Sequence, residues 1–556
     1  MRLRHALLVF IATIFASQGS AAAATWIAEG RLTSQAAALI QTLNEAERFG
    51  LDPRDYSIES LPRSFTTEAD QSKAQEILKS AASAFLKDLH SGRVDPQTAG
   101  FHFPAVVRSF DIEHAVDDLA ASSNFAATLK TYQPRARPYW LLLDALARYR
   151  ALAQTPELTE LPAMQSKSIK QGDTYDGAPA LRRLLIAVGD LAKTSDTDSL
   201  VFDAELATAL TRFQTRYGLT ADGVLGRQTF EAATTPLSKR VRQIELSLER
   251  WRWTTLLERP DIVVNVPQFM LYALPKPNDA NGSVLEMGVI VGKSEPPHQT
   301  PIFTAELKRV IFQPYWDVPY SIMRKELLPL ISKDPKYLEK HDMEIVRGDR
   351  DDSPVLPNTE ESINALIAGK ARLRQRPGAQ NALGPIKFVL PNPYNVYLHA
   401  TPEQRLFEQP RRDFSHGCVR VSNPAALAEY VLRNAPQPWD SEAIQNAMCG
   451  TQTLRVDLKE PLRVMFFYST VAATDSEGVL FAPDVYGQDA KLERLLEPIS
   501  KSIVSRVVAL MDRRETIVAQ LEAGLRARRD RFSPAIRAAT RVSSCFIDRD
   551  GTATFE

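Results

Sequence analysis

The hydrophobic period of the sequence changes near residue 259, and this change most limits the folds open to the chain. Before it, apolar residues recur every three or four positions, as at Leu39, Leu43 and Ala46, which is the spacing of amphipathic helices. After it, short runs rich in β-branched residues, such as Asp261–Pro267 and Met287–Gly292, are separated by turns. Such runs are typical of β-sandwiches and barrels. The sequence therefore predicts a multidomain α+β protein in which helical units precede a β-rich domain.

Turns and composition shifts divide the chain further. The predicted segments are a signal peptide at 1–24, a helical scaffold at 25–177, a small helical module at 178–235, a linker helix at 236–258, a β-rich domain at 259–490 and an amphipathic basic helix and tail at 491–556. Residues 321–380 are charged and helix-like, and we expect them to form a helical insertion over the β domain. An insertion of that length is often a lid over a functional site. The basic C-terminal helix is interpreted as a solvated helix packed on the body rather than as the site of an anionic partner.

The charge balance excludes one class of function. Lys and Arg together number 67, Asp and Glu also number 67, and the formal net charge is zero. A chain without a bulk positive field is not expected to bind nucleic acid by broad phosphate neutralisation. The hydrophobic content of 44% is that of an ordinary globular protein and excludes a mainly disordered or polytopic membrane chain.

The first 24 residues have the pattern of an export signal. Arg2 and Arg4 form a basic start, Ala6–Ala16 is apolar, and Ser20–Ala24 consists of small residues suited to cleavage. The apolar run is far shorter than the roughly 20 residues that span a bilayer as a helix. We therefore expect an exported protein with no membrane span after cleavage, most simply in a bacterial periplasm.

Export affects the interpretation of the three cysteines, Cys418, Cys449 and Cys545. An odd number in an oxidising compartment is most simply one disulfide and one free thiol. Cys418 has histidine and arginine neighbours, whereas the residues next to Cys449 and Cys545 are uncharged. A Cys449–Cys545 disulfide is therefore a hypothesis, with Cys418 as the free thiol.

Cys418 is the candidate nucleophile. A thiol attacks as its thiolate, so it needs a base, and a histidine from a neighbouring strand can approach the sulfur. His399 ends a strand-like run and is predicted to be the general base and later general acid, with His416 facing substrate or supporting the site. Gly417 permits a sharp turn that can aim the Gly417 and Cys418 amides at an oxyanion, and Arg420 can hold a carboxylate. An inert buried thiol, or a metal site formed by His399, His416 and Cys418, remains an alternative.

Two stretches resemble known families. Phe213-Gln214, Tyr217–Leu219, Asp222-Gly223, Gly226 and Thr229 resemble the peptidoglycan-binding module of cell-wall enzymes, which implies docking on glycan or stem peptide. His399, fifteen further residues and then Ser415–Cys418 with Val419-Arg420 resemble the signature of the L,D-transpeptidases of bacterial cell walls. The likeness extends to Leu248–Trp253, Asn265–Phe269, Tyr315–Pro319 and Asn381–Gly384, and it indicates the large multidomain branch of that family.

The resemblance implies a reaction and roles for individual residues. Cys418 would attack the L-centre carbonyl of diaminopimelate in a donor tetrapeptide, release D-alanine, and pass the acyl group to the diaminopimelate amine of an acceptor stem. The Ala400 carbonyl would orient His399, and Tyr397, Ser415, His416, Arg420 and Trp316 match substrate-contacting positions. No cofactor or metal is implied, and carbapenem-type inhibitors would acylate Cys418. Gln313 departs from the asparagine expected there, which puts the local turn geometry in doubt.

Two other functions remain open at this stage. An L,D-carboxypeptidase would use the same cysteine and histidine with water as the acceptor. A catalytically silent wall-binding scaffold would depend on the 178–235 module alone.

Overall fold

A computed structural model describes residues 25–104, 110–193, 198–279 and 282–497, except for the side chain of Leu256. The predicted signal peptide, Cys545 and nearly all of the predicted C-terminal helix lie outside the described residues. No helix of the described part is long and apolar enough to cross a membrane.

Helices fill the first part of the chain, as the hydrophobic period predicts. Several begin at a side chain that accepts a hydrogen bond from the first turn, including Thr33, Thr67, Asp111 and Asp203. The helices are α1 (Ser34–Asn44), α2 (Glu68–Ser91), α3 (Ile112–Ala121), α4 (Phe125–Thr131), α5 (Arg137–Leu152), α6 (Ala178–Val188), α7 (Ala204–Arg216), α8 (Arg227–Ala233) and α9 (Leu237–Trp253), with a small hairpin of β1 (Ile27–Ala28) and β2 (Arg31–Leu32) before α1. Helices α1 to α4 enclose one apolar core, and α5 to α9 enclose a second.

The second half contains a β-barrel. Its strands are β3 (Phe101–His102), contributed by the helical region, β4 (Ile262–Asn265), β5 (Met270–Ala273), β6 (Leu285–Gly292), β7 (Ile302–Phe312), β12 (Ile386–Val389), β13 (Leu398–His399), β14 (Asp413–Ser415), β15 (Val419–Val421) and β16 (Leu454–Phe467). They follow the order β12-β13-β15-β6-β5-β4-β16-β7, and a further β12–β7 pairing closes the ring. The α+β fold class predicted from the sequence is therefore confirmed, with a barrel as the β unit.

The insertion predicted to be helical also contains a sheet. Strands β8 (Trp316–Asp317), β9 (Met343–Val346), β10 (Val355–Leu356) and β11 (Arg372–Gln375) pair antiparallel. Around them lie α10 (Tyr320–Ile322), a π-helical turn (Met323–Leu327), α11 (Leu328–Lys333), α12 (Tyr337–Lys340) and α13 (Glu360–Ile367). Strands of two to four residues carry too few alternations to stand out from a charged helical pattern. We call residues 316–380 the cap.

The chain returns to the helical region after the barrel. Helices α14 (Pro424–Leu432) and α15 (Ser441–Cys449) precede β16, and the hairpin of β17 (Val471–Thr474) and β18 (Gly478–Phe481) precedes α16 (Gln488–Leu496). The hairpin packs on the second helical core, where the Phe481 ring lies 5.3 Å from Tyr149 and 5.1 Å from Tyr217. The helix predicted to be a linker, α9, buries Glu249, Arg250 and Arg252.

Candidate active site

The strand register brings four predicted site residues to one face of the barrel wall. Tyr397 and His399 are two residues apart at β13, as are Cys418 and Arg420 at β15, and side chains with this spacing share a face. Strands β13 and β15 run parallel, with His399 beside Arg420. Extended by one residue, this register sets Cys418 beside Tyr397, so Cys418 and His399 are diagonal neighbours on adjacent strands.

Cys418 follows a tight turn that Ser415, Gly417 and Thr300 hold in place. The Ser415 hydroxyl donates to the Cys418 carbonyl at 2.5 Å, and its oxygen accepts from the Gly417 N–H at 3.1 Å. Gly417 has a φ of 117°, which residues with a Cβ rarely adopt. Thr300 donates its hydroxyl to the Gly417 carbonyl at 2.8 Å. The turn leaves the Cys418 side chain partly exposed.

Two roles expected at this turn differ from the observed geometry. The Gly417 N–H was expected to face an oxyanion, but it is bound by the Ser415 hydroxyl oxygen. The Ser415 side chain, expected to contact substrate, is 3% exposed and makes its hydrogen bonds inside the turn. No acceptor among the described residues binds the Cys418 N–H, so this amide is the remaining candidate for oxyanion stabilisation.

The Thr300 hydroxyl supports a first prediction. It accepts from the Gly292 N–H at 2.9 Å as well as donating to Gly417, and the residue is 1% exposed. Thr300→Val keeps the shape but leaves a buried N–H and a buried carbonyl unpaired, so we expect a loss of about 1–3 kcal/mol in the free energy of unfolding. Urea denaturation measures this loss. Thr300→Ser should retain most of the stability, and equal stability of the valine variant would contradict the bracing role.

His399 is held in one orientation. It is 5% exposed, and its Nδ1 lies 2.6 Å from the Ala400 carbonyl oxygen. With Nδ1–H as the donor to that carbonyl, Nε2 is the basic nitrogen. Gly384, with a φ of 62°, packs against this strand so closely that a Cβ would lie 2.8 Å from the Ala400 Cβ. Within the Asn381–Gly384 motif, the glycine therefore lets the chain pass directly behind Ala400, whose carbonyl orients His399.

Burial sets the charge state of Cys418 and His399. Burial, with Arg420 and Lys387 adding smaller effects, lowers the pKa of His399 to about 3. Burial also raises the pKa of the Cys418 thiol, against the opposing effects of Tyr397, Lys387 and Arg420. The resting pair is therefore a neutral thiol beside a neutral imidazole. A base of this kind accepts the proton as the sulfur attacks, rather than holding a preformed thiolate.

This charge state predicts how thiol reactivity depends on pH. Alkylation of Cys418 by iodoacetamide should accelerate steadily up to at least about pH 9, because the thiolate fraction grows until the pH passes the raised pKa. The measurement is the alkylation rate, by mass spectrometry, in a Cys449→Ala, Cys545→Ala background. A plateau reached near neutrality would instead indicate a preformed thiolate–imidazolium pair.

Arg420 is paired in this structure. Its guanidinium forms an ion pair with Glu403, which is exposed on the loop after β13. Its Nε is buried and has no hydrogen-bond partner among the described residues. Arg420, which was predicted to hold a carboxylate, is therefore already paired with the carboxylate of Glu403. Its Nε–H remains available to a further acceptor.

His416 and Trp316 connect the site to the cap. The His416 Nε2 lies 2.9 Å from an Oε1 of Glu326, in the π-helical turn of the cap. The imidazole of His298 meets the His416 ring edge-on at 4.9 Å. Trp316, at the first strand of the cap sheet, interacts through its indole with the Tyr397 hydroxyl. The cap thus contacts the turn before Cys418 through Glu326 and contacts Tyr397 through Trp316.

The described residues contain no group of three or more His, Cys, Asp or Glu side chains arranged to hold a metal ion. Of the three residues in the alternative metal site, His416 is directed to Glu326, and His399 is directed to the Ala400 carbonyl.

Several residues at the site were not identified from the sequence. Lys387, on β12, pairs in register with His399. The Asn395 carbonyl accepts from the Cys418 Sγ at 3.6 Å. Strand alternation in Ile386–Leu390 could have indicated Lys387, but only once β12 was known to lie beside β13. Thr300, Glu403 and Glu326 carried no signal, because their contacts depend on loops distant in sequence.

Three family models match parts of the chain. Residues 259–438 match the family model of the L,D-transpeptidase catalytic domain, YkuD. Residues 14–146 match a family described as "Scaffold domain". Residues 175–233 match one described as "Putative peptidoglycan binding domain".

Two individual proteins are similar to parts of the chain. A Haemophilus influenzae protein named "Putative L,D-transpeptidase" is 30% identical over 231 residues, which cover 42% of this chain and 45% of that protein. The chain thus spans less than half the length of this relative. A solved L,D-transpeptidase structure (residues 123–326) from Xylanimonas cellulosilytica is 16% identical and covers 55% of this chain and 100% of its own, with a TM-score of 0.16, too low for the two folds to be compared. The chain therefore carries an L,D-transpeptidase catalytic domain of the YkuD family, joined to a peptidoglycan-binding domain and a scaffold domain.

Proposed function

We propose that the protein is an L,D-transpeptidase that uses Cys418 to form diaminopimelate–diaminopimelate cross-links in peptidoglycan. The observation that carries the proposal is the register of β13 and β15, which sets Cys418 and His399 on one face within the matched catalytic domain. The peptidoglycan-binding domain supports a cell-wall substrate.

The proposed first half-reaction forms a thioester. As the Cys418 sulfur attacks the L-centre carbonyl of the donor diaminopimelate, His399 accepts the thiol proton. The Cys418 N–H stabilises the oxyanion. The bond to the terminal D-alanine then breaks, and His399 returns the proton to the leaving amine. His399 suits both steps because its neutral state lets it accept a proton across the physiological pH range.

The second half-reaction forms the cross-link. The side-chain amine of an acceptor diaminopimelate attacks the thioester carbonyl and loses a proton to His399. The carbon–sulfur bond breaks, and the sulfur regains that proton. One amide is broken and one is made, so no ATP is needed, which suits an enzyme of the periplasm. We propose that location from the N-terminal signal pattern and the cell-wall family.

The roles proposed for the surrounding residues follow from their contacts. Tyr397 and Trp316 would border the donor peptide, and the Arg420–Glu403 pair would meet a group that carries both carboxylate and ammonium, as the acceptor diaminopimelate does. His416, through Glu326, would couple the cap to substrate. Gly417 would supply the turn, and the Ala400 carbonyl would fix the His399 tautomer.

L,D-carboxypeptidase activity is the second candidate function, since water can replace the acceptor amine. The Glu326–His416 contact favours transpeptidation, because a cap resting on the nucleophile loop limits the access of water. A non-catalytic scaffold is disfavoured by the presence of both nucleophile and base.

The deciding experiment incubates the purified full chain with disaccharide-tetrapeptides and identifies the products by mass spectrometry. A cross-linked dimer lacking one D-alanine supports the proposal, and a disaccharide-tripeptide alone indicates the carboxypeptidase. Cys418→Ala is the control, and a carbapenem adduct on the parent chain should be absent from it. If neither turnover nor an adduct depends on Cys418, the protein is a scaffold.

A further inference from the structure

Lys387 is a half-buried cation on the active-site face that the proposed reaction does not use. It lies opposite His399 in the antiparallel β12–β13 pair, so its side chain shares the face of Tyr397 and His399. Its Nζ lies 3.9 Å from the centroid of the Tyr397 ring. This cation–π contact holds the ammonium beside Tyr397, which in turn contacts the Cys418 sulfur.

This ammonium has no carboxylate partner in the part of the chain that the structure describes. Arg420, on the same face, is paired with Glu403, and Arg372, on the cap, is paired with Asp317. Burial penalises the charged form of Lys387 and lowers its pKa. The carboxylate that acts on Lys387, Asp317, is already paired with Arg372, so the half-buried ammonium is costly unless another anion faces it during part of the working cycle.

The sulfur of Cys418 is the group facing Lys387 that becomes an anion. As the thiol proton passes to His399, negative charge appears on the sulfur before it moves to the carbonyl oxygen, and His399 is uncharged at rest. The cationic groups that act on the sulfur are Lys387 and Arg420, and the charge of Arg420 is already compensated by Glu403.

We propose that Lys387 is a positioning residue of the active site, whose ammonium holds the Tyr397 ring and stabilises negative charge on the Cys418 sulfur. The role of Lys387 in catalysis rests on the proposed function. Its effect on the ionisation of the Cys418 thiol does not depend on that function. The other groups that face this cluster are the carboxylates of Asp317 and Glu403, the guanidinium of Arg420, the hydroxyl of Tyr397 and the imidazole of His399.

The test measures thiol ionisation without any substrate turnover. In the Cys449→Ala, Cys545→Ala background, the rate of Cys418 alkylation by iodoacetamide is followed against pH for the parent, Lys387→Met and Lys387→Arg. Methionine keeps the apolar contact with Tyr397 and removes the charge, whereas arginine keeps the charge. Lys308→Met is the matched control, since this lysine is exposed on neighbouring β7 and pairs with Glu306.

Loss of the charge should raise the thiol pKa by about one unit, which is tenfold less thiolate at a fixed pH. The remaining thiolate is a stronger nucleophile, so alkylation at pH 8 should slow by about threefold in Lys387→Met. Lys387→Arg and Lys308→Met should stay close to the parent.

An unchanged profile in Lys387→Met, or equal slowing in the methionine and arginine variants, would overturn the proposal, since packing rather than charge would then be responsible. If Lys387→Met does not fold, Lys387→Gln tests the same loss of charge with a polar end group. Absence of cross-linking in the parent would contradict the proposed function and leave this measurement intact.

Discussion

His399→Ala is expected to slow the acylation of Cys418 by about 10²- to 10⁴-fold, the usual contribution of a positioned general base. The thiol is neutral at rest because burial raises its pKa, so attack requires a proton acceptor in the transition state. His399 is suited to this role because its Nδ1 is engaged by Ala400 and burial keeps its ring uncharged. Single-turnover acylation by a carbapenem or by a donor tetrapeptide measures the effect.

His416→Ala is the matched control, since it removes a second histidine only two residues from the nucleophile. Its ring contacts Glu326 of the cap, so we expect a change in substrate affinity and less than about a tenfold change in the acylation rate. Gly384→Ala should fall between the two, because its Cβ would displace the Ala400 carbonyl. If His399→Ala kept most of the parent rate, or if the two histidine variants were equally impaired, the assignment of His399 as the base would be wrong.

The core of the candidate site could be predicted because its chemistry lies in short stretches of sequence. His399 ends β13, Cys418 immediately precedes β15, which is the neighbouring strand in the sheet, and alternation along each strand places Tyr397 and Arg420 on the same face. The change of period predicted the α+β fold in the same way, because it is a local property. The charge state of the pair was not predictable, since it depends on how deeply the barrel buries His399 and on how much of the Cys418 side chain it covers.

Other features depend on contacts between distant segments. The hairpin at Val471–Phe481 looks like part of the β domain in sequence, yet its apolar side chains pack on Tyr149 and Tyr217 of the helical core. The Gln313 backbone has a φ of 46°, a conformation that asparagine tolerates better than glutamine. Its side chain instead donates to the Met448 carbonyl.

The arginines of Leu248–Trp253 are the clearest case, since charged residues on a helix are normally solvated. Glu249 and Arg252 are buried and paired. The Glu249 carboxylate also accepts from the N–H groups of Arg93 and Val94. These contacts join α9 to the segment that follows α2, so a stretch that looks like a linker in sequence is a structural centre of the protein.

Arg250→Ala is accordingly expected to lower the free energy of unfolding by about 3–5 kcal/mol, the effect of leaving a buried charge without its partner. Arg250 is fully buried, and its Nη1 donates to the Asp489 carboxylate at 2.5 Å. Asp489 also accepts from the Thr470 hydroxyl at 2.6 Å, so its carboxylate would remain buried after the substitution. Urea denaturation of the full chain measures the loss.

The pH dependence of that loss separates lost charge pairing from lost packing. Burial already raises the pKa of Asp489, and removal of Arg250 should raise it further, so the variant regains stability as the pH falls and this carboxylate protonates. We therefore expect a smaller deficit at about pH 5 than at about pH 8. Arg227→Ala, which removes an exposed ion pair with Glu231, should change stability by less than about 1 kcal/mol. A deficit in Arg250→Ala that did not change with pH would mean that the side chain acts by filling space, since a cavity costs the same whether Asp489 is charged or neutral.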